Sequence, residues 1–248
     1  MRDDAENEQR GGRMSSDGGA ANRARPAAET SRAPRRRVGR PPRRDDDPAA
    51  ERNRWEVLRA AARAFMQHGY ASTSIDTVAD VLGATKGRVY YYYRSKADLF
   101  FDLHRVAMEM NLDAIRPIAT GPGSPSERLE RMILAHVKLV LDELPLQCVS
   151  VQGVQMHLAG STTPTQRKVL DRLIEARDEY ERHFIDVMAE GIVAGEFRDC
   201  DPRTLVKPLL GALNWMTIWY RPRPGDTEER RRHIAHEHAA FLMRGLLS

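Results

Sequence analysis

Aromatic residues are scarce in this chain, at 6% of 248 positions, and there are only two cysteines. Cys148 and Cys200 show no CxxC or ligand-like spacing, which excludes a disulfide framework and reads as two reduced thiols. No run approaches the roughly eighteen consecutive apolar residues that a membrane span needs. The N-terminus has no hydrophobic signal core, so the expected location is cytoplasmic, away from the membrane. The alternation of apolar and polar residues that marks a half-buried strand is missing throughout. Nucleophile elbows, phosphate loops and dinucleotide fingerprints are missing too. His233, His236 and His238 lie close together, but they fit neither HExxH nor HxxEH spacing and no Cys, Asp or Glu pattern completes a ligand set. The expectation is therefore no catalytic residue, no metal and no cofactor. A metal-dependent hydrolase stands as the alternative, and a metal assay on purified protein separates the two.

What is present is unevenly spread. The net charge is +4, yet residues 1–44 hold twelve Arg against six Asp or Glu, so this stretch carries +6 and the other 204 residues carry −2. The stretch is rich in Arg, Ala, Gly, Pro and Ser and has almost no aliphatic residues. Burial cannot offset its ordering entropy, and it is expected to be a disordered extension over residues 1–48. Near its end, Gly39-Arg40-Pro41 flanked by further Arg looks like an AT-hook, in which Arg40 would lie in a narrow A·T-rich minor groove. A solvated basic linker that raises nonspecific affinity by counterion release is the other reading. Asp45-Asp46-Asp47-Pro48 ends the basic run.

Helical periodicity begins immediately afterwards. From Glu51 to His68 the residues Trp55, Leu58, Ala61, Ala62 and Phe65 share a face, and Gly69 is placed to stop the helix. Thr73-x-x-Asp76 resembles a capping box, with the Thr73 hydroxyl expected to accept from the Asp76 amide. Ile75, Val78, Ala79 and Leu82 follow at helical spacing up to Gly83. Thr85 can cap a further short helix that buries Val89 and Tyr93 and leaves Lys86, Arg88, Tyr90, Tyr91 and Tyr92 near the open face. Two short helices, a glycine turn and a basic, tyrosine-rich second helix make a helix-turn-helix within residues 49–96.

Thr85-Lys86-Gly87, Val89, Tyr90, Tyr93 and Ser95-Lys96, with Leu99 in register, resemble the signature of the tetracycline-repressor-like (TetR) family of bacterial regulators. Tyr93 stands where that family usually has Phe, so its hydroxyl needs a partner. The resemblance implies a dimer on a roughly palindromic double-stranded DNA operator. It places Lys86 at the backbone or a base, Tyr90 at phosphate and sugar, and Tyr91 along the groove wall. Gly87 would allow close approach of the backbone. Arg88 is expected to read guanine or to contact phosphate. Lys96 and Thr73 are expected to hold phosphates at helix starts.

Every later segment is also helical, in an all-α chain of about nine helices whose residues 97–248 form a ligand-binding and dimerisation domain. The helix from Pro202 is apolar on more than one face. It is expected to pair with the last helix against a mate through Leu209, Leu213, Trp219, Phe241, Leu242 and Leu246, a single larger core being the alternative. A mostly apolar pocket is expected from Met156, Tyr180, Phe184 and Trp215, with His136, Gln152 and His157 as polar groups. The ending Trp219-Tyr220-Arg221-Pro222 resembles that of TetR-like regulators of fatty-acid and steroid catabolism. This implies a hydrophobic small-molecule effector such as an acyl-coenzyme A, and a regulator sensing lipophilic drugs is the alternative.

Overall fold

Polar caps and glycine stops divide the chain into nine helices among the residues that the computed structural model describes, 48–158 and 164–247, the side chains of 152–158, 165 and 166 lying outside that description. They are α1 (Pro48–Ser72), α2 (Ile75–Leu82), α3 (Lys86–Tyr92), α4 (Lys96–Ala119), α5 (Pro125–Asp142), α6 (Leu144–Leu158), α7 (Pro164–Val193), α8 (Pro202–Trp219) and α9 (Glu228–Arg244). No strand occurs among them beyond an isolated bridge of Phe197 to Leu247. Gly69 interrupts α1 with φ 74°, a left-handed conformation that a side chain would strain, so the main run of α1 ends at the glycine stop expected there.

Several boundaries differ from expectation for local reasons. The cap of α2 is Ser74: its hydroxyl accepts from the Thr77 amide and Thr77 answers its backbone, which makes Ser74 and Thr77 the capping box in place of Thr73 and Asp76. Thr85 occupies the cap position of α3 but makes no side-chain cap bond. α5 ends at Asp142, and Pro145 lies in the first turn of α6, where its missing N–H costs nothing. Pro117 sits inside the last turn of α4. α9 ends at Arg244.

Two apolar cores form, and α4 takes part in both. Its first half, with Leu99, Phe100, Leu103 and Ala107, packs against α1, α2 and α3 and against Leu146, Val149, Leu170 and Leu173. Phe65, Tyr70 and Phe100 form the aromatic centre, with Phe65 edge-on to Phe100 at 5.3 Å and Tyr70 to Phe100 at 4.8 Å. The second half of α4, with Leu112 and Ile115, joins α5, α7, α8 and α9 in the other core. Each fully buried Leu, Ile or Phe contributes about 1.5–3 kcal/mol. Leu209, Leu213 and Leu246 belong to this second core, at 4%, 0% and 6% exposure. They are thus not available to a mate, because the bundle is thick enough to cover that side of α8 itself.

Candidate DNA-binding surface and effector cavity

The turn between α2 and α3 is set by backbone geometry. Gly83 adopts φ 68° and its N–H, with that of Ala84, closes the end of α2 on Asp80 and Ala79 carbonyls. Val89 is then fully buried, and the opposite face of α3 turns outward with Lys86, Gly87, Tyr90 and Tyr91 exposed. Lys86 lies 3.7 Å from Asp76 in a pair open to solvent. At Gly87, among the described residues, an added Cβ would meet only Thr85 Oγ1, at 3.7 Å. Nothing described inside the chain therefore demands glycine there, although glycine weakens a helix by roughly 0.5–1 kcal/mol relative to Ala.

Four expected contacts are placed differently. Thr73 is buried, donating to Gly69 O at 2.7 Å and Ala64 O at 3.3 Å, so it braces the end of α1 and does not face a phosphate. Lys96 donates to the carbonyls of Tyr70 (2.8 Å) and Ala71 (3.1 Å) and stands 4.4 Å over the Tyr70 ring, closing the chain after Gly69. Arg88 is drawn back onto α1, where it bonds Asn53 Oδ1 at 2.9 Å and pairs with Glu56, so base readout requires its release. Tyr92 packs against the core and donates to Ala50 O at 3.3 Å, off the open face. Arg40 lies outside the described residues.

Behind α3 is a polar lock that the sequence did not disclose. Tyr93, capping the end of α3, donates to Asp102 Oδ2 at 2.7 Å, and Arg54 of α1 reaches the same oxygen at 2.5 Å. Arg105 holds the other oxygen at 2.7 Å. Burial resists ionisation of Asp102, but the hydrogen bonds from Tyr93, Arg105 and Arg54 prevail and hold its carboxyl below its ordinary range. Burial, with the adjacent carboxylate, raises Tyr93 far above the usual phenol value, so it stays a donor.

Beginning two residues along α4 from this lock, a cavity of about 420 Å³ opens between α4, α5, α6, α7 and α8. His104, Met108 and Asn111 line it from α4, His136 from α5, and Tyr180 from α7, with Arg177 and Lys207 also on its wall. His136 Nδ1 is 2.7 Å from the Tyr180 hydroxyl. Burial lowers His136 to about 4, and burial together with the charge of Arg177 lowers His104 to about 4, so both rings are neutral near pH 7. Lys207 pairs with Glu181 at 2.5 Å. His136 and Tyr180 of the expected pocket are here; Phe184 is fully buried packing beside Tyr180, and Trp215 is 62% exposed on the outer face of α8. The side chains of Gln152, Met156 and His157 lie outside the described residues. The cavity is more polar than expected, and sequence reading missed His104 and Asn111. Their signal was available: at spacing i, i+7 with Met108 between, they put polar groups on a helix stripe otherwise apolar.

The outer faces of α8 and α9 expose Trp215, Ile218, Trp219 and Phe241. Trp219 stacks on His238 at 5.5 Å and 13°, which joins the two helices in one apolar surface. Leu242, next to Phe241 in α9, is half-buried.

A helix-turn-helix with an outward, cationic second helix, carried on an all-helical bundle, defines a DNA-binding regulatory protein. Residues 57–103 match the family described as bacterial regulatory proteins, tetR family, and residues 122–246 match the tetracyclin repressor-like C-terminal domain. The chain belongs to the TetR family of bacterial transcriptional regulators. It is 26% identical over 194 residues to the HTH-type transcriptional repressor KstR2 of Mycobacterium tuberculosis, covering 78% of this chain and 92% of that protein. The solved structure of the ketosteroid transcriptional regulator KstR2 of M. tuberculosis has a TM-score of 0.68 at 22% identity, covering 79% and 95%. That of AibR in complex with isovaleryl coenzyme A and operator DNA has a TM-score of 0.61 at 21% identity, covering 77% and 98%. At such identities the structural likeness shows the fold. No described helix is long and apolar enough to cross a membrane.

Proposed function

We propose that the protein is a repressor that holds a palindromic operator as a homodimer and releases it when an acyl-coenzyme A thioester enters the cavity. The observation that carries this reading is the position of α4. One helix supplies Asp102, which holds Tyr93 at the end of α3, and His104, Met108 and Asn111, which line the cavity. A ligand that moves α4 therefore acts on the seat of α3 within three turns of one helix. Support for the ligand class comes from AibR, solved with isovaleryl coenzyme A and operator DNA, and for the sign of regulation from KstR2, a repressor.

Residues 49–96 are the DNA-binding domain in this reading and residues 97–248 the ligand-binding and dimerisation domain. Lys86, Gly87, Tyr90 and Tyr91 meet the major groove with Thr85 at the helix start, Arg88 joins after leaving Glu56, and Arg40 of the N-terminal arm adds minor-groove affinity. Removing residues 1–44 should then lower DNA affinity and flatten its salt dependence. Thermodynamic linkage requires the thioester to bind the released state more tightly, and DNA to weaken thioester binding by the same factor.

The test is titration of an acyl-coenzyme A panel against the complex of full-length protein with its operator, followed by fluorescence anisotropy. Free fatty acids and lipophilic drugs serve as parallel arms. Dissociation by thioesters supports the reading. Dissociation by a drug and by no thioester replaces it with a regulator of multidrug efflux. Equal affinity for operator and scrambled duplex at physiological salt sinks sequence-specific recognition altogether.

A further inference from the structure

A second cavity, of about 480 Å³, adjoins the first between α4 and α7. Phe101, Val169, Leu173 and Ala176 line it, and Met108 lines both. Helix geometry puts Met108 in that position. Phe101, Arg105 and Met108 are spaced i, i+4, i+7 along the second cavity, and His104, Met108 and Asn111 repeat that spacing along the first. On the facing helix, Val169, Leu173, Ala176 and Tyr180 continue one stripe from the second cavity into the first. The two spaces thus follow one another along the same pair of helices, with Met108 common to both.

We propose that Met108 is the partition of one divided site, and that the effector is a thioester whose acyl chain is long enough to pass Met108 and lay its end in the second cavity. This rests on the reading that the first cavity admits a thioester, and it names the length of the acyl group. Methionine suits a partition that yields: it is unbranched, with three rotatable bonds, and swings aside where a β-branched residue would stand fixed. Its sulfur is held only by the Ser150 hydroxyl at 3.4 Å, a weak acceptor bond that a passing chain displaces at little cost. The second cavity suits a hydrocarbon end. Its charged lining groups Asp102, Arg105 and Glu109 are engaged with one another, at 2.7 Å for Arg105 to Asp102 and 2.6 Å for Arg105 to Glu109, which leaves the apolar side chains to meet the chain. From Asn111 back to Phe101, α4 advances about 15 Å at 1.5 Å per residue, a stretch that an extended dodecanoyl chain spans and a butyryl group does not. Chain length then decides whether the ligand reaches Asp102 and Arg105, the groups that seat Tyr93 and α3.

The experiment is isothermal titration calorimetry of the full chain with butyryl- and dodecanoyl-coenzyme A. Each further buried methylene is worth about fourfold in affinity, so dodecanoyl-coenzyme A is expected to bind at least about a hundredfold more tightly. Val169→Trp fills the second cavity from α7 at a half-buried position that does not line the first, and Met108→Phe bars the passage with a ring. Each should bring the ratio below about tenfold, and Val169→Trp should leave butyryl binding within about twofold of the parent. A Met108 that served packing alone would weaken both ligands alike and leave the ratio standing. Val169→Trp decides the matter by itself where Met108→Phe fails to fold. Equal affinity for the two thioesters, or a preference for the longer chain that Val169→Trp leaves intact, overturns the divided site and leaves the thioester reading standing. Binding of neither thioester removes that reading, and the divided site with it.

Discussion

The Tyr93 hydroxyl donates to Asp102 at 2.7 Å, fastening the last residue of the DNA-facing helix-turn-helix to the helix that lines the cavity. Where a Phe would simply fill the space, this Tyr adds a bond to a charged acceptor. Tyr93→Phe should lower stability by about 1–2 kcal/mol. Asp102→Asn should cost about 2–3 kcal/mol, because Arg54 and Arg105 lose their shared anion. Both variants should loosen the seat of α3 and weaken operator binding, which urea denaturation and anisotropy measure separately. Since the Asp102 carboxyl is held below its ordinary range, its contribution is present above about pH 4 and is lost as pH falls through the folded value.

At α3, stability and affinity should move in opposite directions. Gly87→Ala adds only an ordinary contact with Thr85 and improves helix propensity, so the melting temperature should rise while operator affinity falls. Glu56→Ala frees Arg88 from an exposed pair worth about 0.2–1 kcal/mol. Operator affinity should then increase up to about fivefold, and Arg88→Ala should reduce it. A Gly87→Ala protein that binds operator as the parent does would remove DNA as the reason for that glycine.

Acid should destabilise the protein through the cavity histidines. Their folded pKa values, about 4, lie below the ordinary 6.5, burial being the first cause for both and Arg177 adding to it for His104. The unfolded chain binds more protons between these values, so stability is full above about pH 6.5 and declines as pH falls toward 4. The decline is of order 3 kcal/mol per histidine over that window. Denaturation midpoints at pH 7 and pH 5 check it: His104→Leu should halve the difference that these two residues create.

The surface made by Trp215, Ile218, Trp219 and Phe241 should be the dimer contact. Trp219→Asp and Phe241→Asp should yield folded monomers that lose operator binding, because a charge in that contact has no partner. Sedimentation velocity reads the outcome directly. Leu213→Asp would instead unfold the protein, since Leu213 is in the core. A dimer that survives both surface substitutions would move the interface to another face.

Local chemistry makes much of this protein legible in its amino-acid sequence. The glycine stops at Gly69 and Gly83, the apolar stripe of α1 and the Thr85-to-Leu99 pattern depend on neighbours within a turn or two, and sequence carries such information directly. What stays hidden there depends on groups far apart in the chain. Arg88 is held by Asn53 and Glu56, Asp102 joins α1 to α3, and His104 and His136 line one cavity; no periodicity encodes such pairings. The division of α8 is likewise a tertiary decision. Its two apolar faces are alike in sequence, and only the thickness of the surrounding bundle determines that Leu209 and Leu213 are covered within the chain while Trp215 and Trp219 are left outside.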